Sequence, residues 1–175
     1  MKTRLSHVLL GVVLSVLLVS GMALSASAPY VNIVDTAKGS DQLKTFVATV
    51  EAAGLTDVLM KKGPFTVFAP TDEAFAKLPE GKLNRLLQPE NKQKLVEILT
   101  YHVIPEVSLT VDNFRSGESY KTVNGLMLNV LFQQPPIVIN KKINVVSSLA
   151  CSNGIIYLVD TVILPPETPA KKKSK

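Results

Sequence analysis

The chain is poor in the residues that staple, chelate and catalyse. It has one cysteine, Cys151, in 175 residues, so no intramolecular disulfide is available and a folded part must be held by its core. Its two histidines are His7 and His102. His7 sits in a leader-like stretch, which leaves His102 alone and excludes a multi-histidine metal centre; a zinc site would need carboxylates plus Cys151 at unrelated spacings. Absent as well are an Asn-x-Ser/Thr acceptor, a Gly-x-Ser-x-Gly elbow, a phosphate loop, a dinucleotide fingerprint and an internal repeat. A Cys151–His102 nucleophilic pair is formally available, but Cys151 stands before a Ser-Asn-Gly turn with no acid or oxyanion motif nearby in sequence. Enzyme activity, a metal and a cofactor are therefore not expected.

The charge is unevenly placed. Nineteen Lys and Arg stand against 14 Asp and Glu, yet Lys2 and Arg4 lie at one end and Lys171, Lys172, Lys173 and Lys175 at the other. Between Pro29 and Pro166 the two signs balance at 13 each, so no nucleic-acid partner is indicated. Lys2 and Arg4, the apolar run Val8–Val19 and the small residues after it have the three-part layout of a secretory signal. Cleavage after Ala28 fits the small-x-small rule, and a cut near Ala26 is the alternative because Pro29 follows Ala28. The apolar run is shorter than the ~20 residues of a membrane span, so removal is expected rather than an uncleaved anchor, and no later stretch is long enough to cross a bilayer. The expected layout is a signal peptide at 1–28, one domain at 29–166 and a disordered lysine-rich tail at 167–175. The mature protein would be secreted or periplasmic, or held at the envelope by that tail.

Along the chain, helical periodicity comes first. Leu43, Phe46, Val47 and Val50 form one face of a helix stopped by Gly54, and LTDVLMKKG is expected to be a short helix closed by Gly63. FTVFA alternates as a strand ended by Pro70. KLNRLL is a short helix after Pro79. The stretch QPENKQKLVEILTYHVIP has Pro89 at a first helical position, a buried stripe of Leu95, Ile98, Leu99 and His102, and Pro105 as its end. The period then changes to two. SYKTV and LMLNVLF flank Asn124-Gly125 as a hairpin with a type I′ turn; PIVIN and INVV are short strands, and Asn153-Gly154 opens GIIYLVDTVILPP, a strand fit for burial on both faces. Helices followed by strands predict one α+β domain.

The stretch FTVFAPTDEAF at 65–75 poses a question of chemistry. Asp72 and Glu73 follow a strand end, as paired catalytic acids could. However, adjacent acids in a first helical turn point to different faces, whereas Thr71 or Asp72 as a helix cap, acids at the positive end of the helix dipole and an inward Phe75 account for every residue. Asp160 is an acid in an otherwise apolar run, where a carboxylate must accept hydrogen bonds and would thereby fix the sheet. His102 is read as a buried, hydrogen-bonded core histidine that shapes a binding surface only through its neighbour Tyr101.

FTVFAPTDEAF, YHVIP and SNGIIYLVDTVILPP, with TVNG and the VIN strand between them, together resemble in order and spacing the signature segments of the fasciclin (FAS1) domain family. The resemblance runs from about Val31 to Pro165 and is closest to the single-domain bacterial secreted type. It implies a wedge of two small β-sheets packed with a helical cluster, and a non-enzymatic exported module for adhesion or extracellular interaction. The partner implied is a protein or a cell-surface polymer. Because some algal relatives carry carotenoids, the alternative is a carrier of an apolar small molecule lodged at the Leu126–Phe132 and Ile155–Leu164 runs, although strands of this kind ordinarily fill the core and that reading is preferred for them. Carried over by position, Tyr101, His102 and Asp160 match residues tied to adhesion in animal relatives, and Thr71, Asp72, Phe75, Asn153 and Gly154 match structural positions of the motifs. The sequence departs at Glu106, where a glycine often follows the proline, and at Thr161, where integrin-binding relatives have isoleucine, so integrin-type recognition is not carried over.

Overall fold

The alternation of FTVFAP has two buried destinations, and that decides the architecture. In the computed structural model, which describes residues 31–110, 113, 117–131 and 137–166, strand β1 (Phe65–Pro70) lies parallel to β7 (Gly154–Val159) with Phe65 opposite Gly154 and Pro70 opposite Val159. Val67 and Ala69 of β1, with Ile156 and Leu158 of β7, face one apolar cluster; Phe68, Tyr157 and Val159 face another. A strand pair enclosed on both faces has the near-continuous apolar composition that these segments carry. The expected signal peptide and lysine-rich tail lie outside the described residues.

The first cluster is covered by helices: α1 (Ile33–Lys38), α2 (Lys44–Ala53), α3 (Thr56–Leu59), α4 (Asp72–Ala76), α5 (Lys82–Leu86) and α6 (Lys92–Tyr101), the last preceded by a 3-10 turn at Pro89–Asn91. Phe46, Val50, Leu95, Ile98 and Leu99 supply their inner faces. The second cluster is closed by β4 (Met127–Leu131) and β5 (Val138–Ile139) through Leu128, Val130 and Ile139. The remaining strands are β2 (Val103–Pro105), β3 (Glu118–Lys121) and β6 (Ile143–Cys151), and the full order is β2-β1-β7-β6-β5-β4-β3. The two small sheets share β6, whose first part pairs with β5 and whose remainder pairs with β7, with a register shift between Val145 and Ser147. This is the expected α+β class.

Several local expectations are corrected by the backbone. LTDVLMKKG does form a helix, but it ends at Leu59 with Met60 as its C-cap; Gly63 is required for another reason, since a Cβ there would lie 2.0 Å from the Asn153 carbonyl oxygen. The sixth helix stops at Tyr101 and not at Pro105, because Val103–Pro105 turns out to pair with β1. The Asn124-Gly125 hairpin forms with a turn closed from Gly125 N–H to the Thr122 carbonyl, and only Gly125 has positive φ, so it is not type I′. The pair of positive φ angles that a type I′ turn needs belongs to Asn140 and Lys141, between β5 and β6. The apolar run after Asn153 is strand only as far as Val159. Helix α1, capped by the Asn32 side chain onto the Asp35 amide at 3.0 Å, is too short to reveal itself by periodicity.

Glu106 has φ +63°, which explains why a glycine suits the position after the proline. A left-handed side chain costs about 1–2 kcal/mol and glycine's added chain entropy returns about 0.5–1. Glu106→Gly is therefore expected to stabilise the domain by about 0.5–1 kcal/mol in urea unfolding. Gly154→Ala acts the other way: its Cβ would meet the Phe65 carbonyl oxygen at 2.1 Å, and a loss of about 2 kcal/mol or more in the same experiment is expected.

Candidate functional site

The residues singled out from the sequence fall into three groups. Tyr101 and His102, at the end of α6, are 2% and 0% exposed. His102 Nδ1 lies 2.7 Å from the Ile98 carbonyl oxygen and Nε2 accepts from the Ile163 amide at 3.0 Å. Since Nε2 must be an acceptor, the proton sits on Nδ1 and the ring is neutral. Burial pushes its pKa from 6.5 down to about 4, against the raising effect of the Ile98 carbonyl. The His102 carbonyl also accepts from Phe68 of β1 at 2.9 Å. Tyr101 donates its hydroxyl to the Met127 carbonyl at 3.1 Å and accepts from Asn140 Nδ2 at 3.3 Å. The pair ties α6 to β1, to β4 and to the chain beyond β7, and in this fold neither side chain has surface to offer a partner.

The second group opens β7. The Asn153 side chain accepts from the Ile33 amide at 2.9 Å and donates to the carbonyls of Leu59 and Lys61 at 2.8 and 2.9 Å, so one amide caps the start of α1 and the end of α3. Gly154 allows the Phe65 backbone to pass beside it. Phe75 is buried among the helices.

The third group, Thr71, Asp72 and Asp160, meets at the other end of the β1–β7 pair. Thr71 caps α4 by accepting from Ala74 N–H at 3.2 Å. Asp72 does not cap its own helix; its Oδ1 accepts from the Thr45 amide at 2.7 Å, in the first turn of α2, whose own N-cap Leu43 has no side-chain acceptor. Asp160 accepts from the Asn144 amide at 3.1 Å and from Asn144 Nδ2 at 2.9 Å, while Lys77 Nζ donates to the Asp160 carbonyl at 2.9 Å. Burial alone would raise the Asp160 pKa; the Asn144 side chain and backbone, Thr161 and the Lys77 charge outweigh it and hold the carboxyl below its usual value.

These three residues line one open groove of about 260 Å³ together with Asp41, Gln42, Glu73 and Val146. The fold thus brings four stretches of the sequence, 41–42, 71–73, 146 and 160, to one surface. Asp41 is engaged with Lys44 at 3.1 Å, a largely exposed pair of small energetic weight. Val146 is 63% exposed beside the carboxylates. Its place was readable in principle: two adjacent valines in INVV must face opposite sides of a strand, and only one of them can join the core.

His102 sets a pH dependence. Above pH ~6.5 both folded and unfolded chains hold it neutral, and between pH ~6.5 and ~4 only the unfolded chain takes up the proton. Stability is thus expected to fall with acidification by about 1.4 kcal/mol per pH unit across that window. In urea titrations at successive pH values, His102→Gln should start lower and lack this slope; a wild-type midpoint flat from pH 7 to 4.5 would contradict the assignment.

Residues 41–165 match the family described as Fasciclin domain. The chain is 44% identical over 142 residues to Protein sll1483 of Synechocystis sp., covering 81% of this chain and 78% of that one. It is 33% identical over 145 residues to transforming growth factor-beta-induced protein ig-h3 of Sus scrofa, covering 83% of this chain and about a fifth (21%) of that much longer protein. It is 30% identical over 138 residues to the cell surface glycolipoprotein MPB83 of Mycobacterium bovis, covering 77% of this chain and 60% of the relative. Among solved structures, a FAS1 domain pair from the insect cell adhesion molecule Fasciclin I superposes with TM-score 0.61 at 22% identity, over 78% of this chain and 52% of that one, which establishes the shared fold. The chain belongs to the fasciclin (FAS1) domain family.

Proposed function

We propose that this chain is an exported, non-enzymatic interaction module that contacts an extracellular protein or cell-surface polymer through the groove at Asp160. In this reading residues 1–28 direct export and are removed, 29–166 form the fasciclin domain and 167–175 are a basic tail. The observation that carries the proposal is the convergence of Thr71, Asp72 and Asp160 with the exposed Val146 on one surface. An apolar side chain in one groove with carboxylates, of which Asp72 and Asp160 are held by hydrogen bonds, joins contact area to charge selectivity, as interfaces do. Names of relatives point the same way, one being a cell surface glycolipoprotein and one a cell adhesion molecule. Against catalysis, both His102 nitrogens are engaged within the core, and burial raises the pKa of the Cys151 thiol, so neither is poised for proton transfer or attack.

The alternative, a carrier of an apolar small molecule, has less support. Leu128, Val130, Ile156, Leu158 and Ile163 fill the two core clusters. The apolar hollows lined by Val50 and its neighbours are about 10 Å³ each, against the hundreds of Å³ a ligand site needs. A stoichiometric apolar compound in an organic extract of the native protein would reverse that preference.

The groove is tested with Glu73→Lys/Val146→Lys, both at exposed positions. Pull-down of purified protein onto envelope material of the native host should weaken at least tenfold for the double variant, with circular dichroism and melting unchanged. Undiminished capture would remove this groove as the contact.

A further inference from the structure

The parallel pairing of β1 and β7 places a second groove at the opposite end, roughly 20 Å from the first along six strand residues. It is larger, about 540 Å³, and no carboxylate among the described residues lines it. Met60, Lys61, Lys62, Ser108 and Ser152 face it, with Asn153 and Gly154 at its base. Asn153 fixes that base, since its side chain holds the carbonyls of Leu59 and Lys61 and its own carbonyl accepts from the Phe65 amide at 3.0 Å. The side chains above it are uncommitted. Among the described residues, no carboxylate pairs with Lys61 or Lys62, and no hydrogen bond engages the hydroxyls of Ser108 or Ser152. Met60 is 48% exposed.

We propose that this groove binds a carboxylated polysaccharide, with Lys61 and Lys62 meeting uronate carboxylates and Ser108 and Ser152 meeting ring hydroxyls. Two ammonium groups supply point charges suited to spaced carboxylates. Hydroxyls that both donate and accept match sugar hydroxyls, and the Met60 side chain supplies an adaptable apolar face for a pyranose ring. The volume accommodates roughly two to three sugar units. A flat anionic membrane would not enter the groove, and duplex DNA needs a basic field broader than two lysines on a domain whose charges balance. A base held by Asn153 presents these groups without prior reordering, which favours binding. The inference rests on the reading of the domain as an interaction module, but uses other residues than the Asp160 groove.

The full mature chain is titrated calorimetrically with oligogalacturonate and, as a neutral control, dextran. Binding of the first and not the second is expected, weakening as salt is raised. Lys61→Glu/Lys62→Glu should weaken it at least tenfold and Ser108→Ala/Ser152→Ala about threefold, with melting unchanged in both. A variant lacking residues 167–175 and the Glu73→Lys/Val146→Lys variant should bind like the wild type, so the failure of one groove is distinguishable from failure of the other. No binding of oligogalacturonate, equal binding by the Lys61/Lys62 variant, loss on tail removal, or preference for phosphatidylglycerol vesicles or duplex DNA would overturn the proposal.

Discussion

The parallel contact between β1 and β7 is the constraint on which the rest of the domain depends. It joins segments about 90 residues apart in sequence, so its closure carries a loop-entropy cost that the packing around it must offset. Phe65 can lie against Gly154 because residue 154 has no Cβ. From that contact the register runs unbroken to Pro70 and Val159, and the alternation of both strands divides the apolar residues between a helical face and a sheet face. Nothing here is held by a cross-link, so the two clusters supply the stabilising free energy and the polar groups between them decide which packing is adopted.

His102 is the chief of those polar groups. A neutral imidazole with both nitrogens engaged joins the last turn of α6 to Ile163, and its backbone carbonyl joins the same turn to Phe68. An apolar side chain of similar volume would fill the space while leaving the Ile163 amide unpaired in the interior, a cost of the order of 1–3 kcal/mol. Tyr101 works in parallel, its hydroxyl linking α6 to β4 and to the Asn140 turn. Both residues are thereby accounted for by the architecture.

The sequence made the long elements legible because their periodicity is uninterrupted: α2 with its left-handed Gly54, α6 with its buried stripe, and the two central strands. What escaped was set by tertiary partners. Asn124-Gly125 carries the dipeptide of a type I′ turn, yet the Asn124 side chain accepts from the Thr122 hydroxyl and the Leu126 amide and shapes a longer loop. Asn140 takes left-handed geometry because its side chain and amide both pair with Asn129 across the sheet. Of the two caps open for α4, Thr71 serves it, while Asp72 serves α2, a partner 27 residues upstream that no local rule could name. For the candidate site, the identities of Thr71, Asp72 and Asp160 were readable; their meeting with Val146 follows from the β1–β7 register and the shift in β6.

That register also leaves the strand ends as the places where the two proposed binding surfaces can sit. Side chains along β1 and β7 are committed to one cluster or the other, and replacing them would open cavities or leave polar groups stranded. Loops leaving the two ends have no such duty once their anchors are satisfied. At one end the anchors are Thr71, Asp72 and Asn144, and around them stand carboxylates and Val146; at the other the anchor is Asn153, and around it stand Lys61, Lys62 and two free hydroxyls. The two ends therefore differ in character, one with carboxylates that Lys44 and Lys77 partly offset and the other with two lysines, and they are separated by a tightly packed strand pair. Each end is consequently free to acquire its own specificity through substitutions that leave the central register untouched.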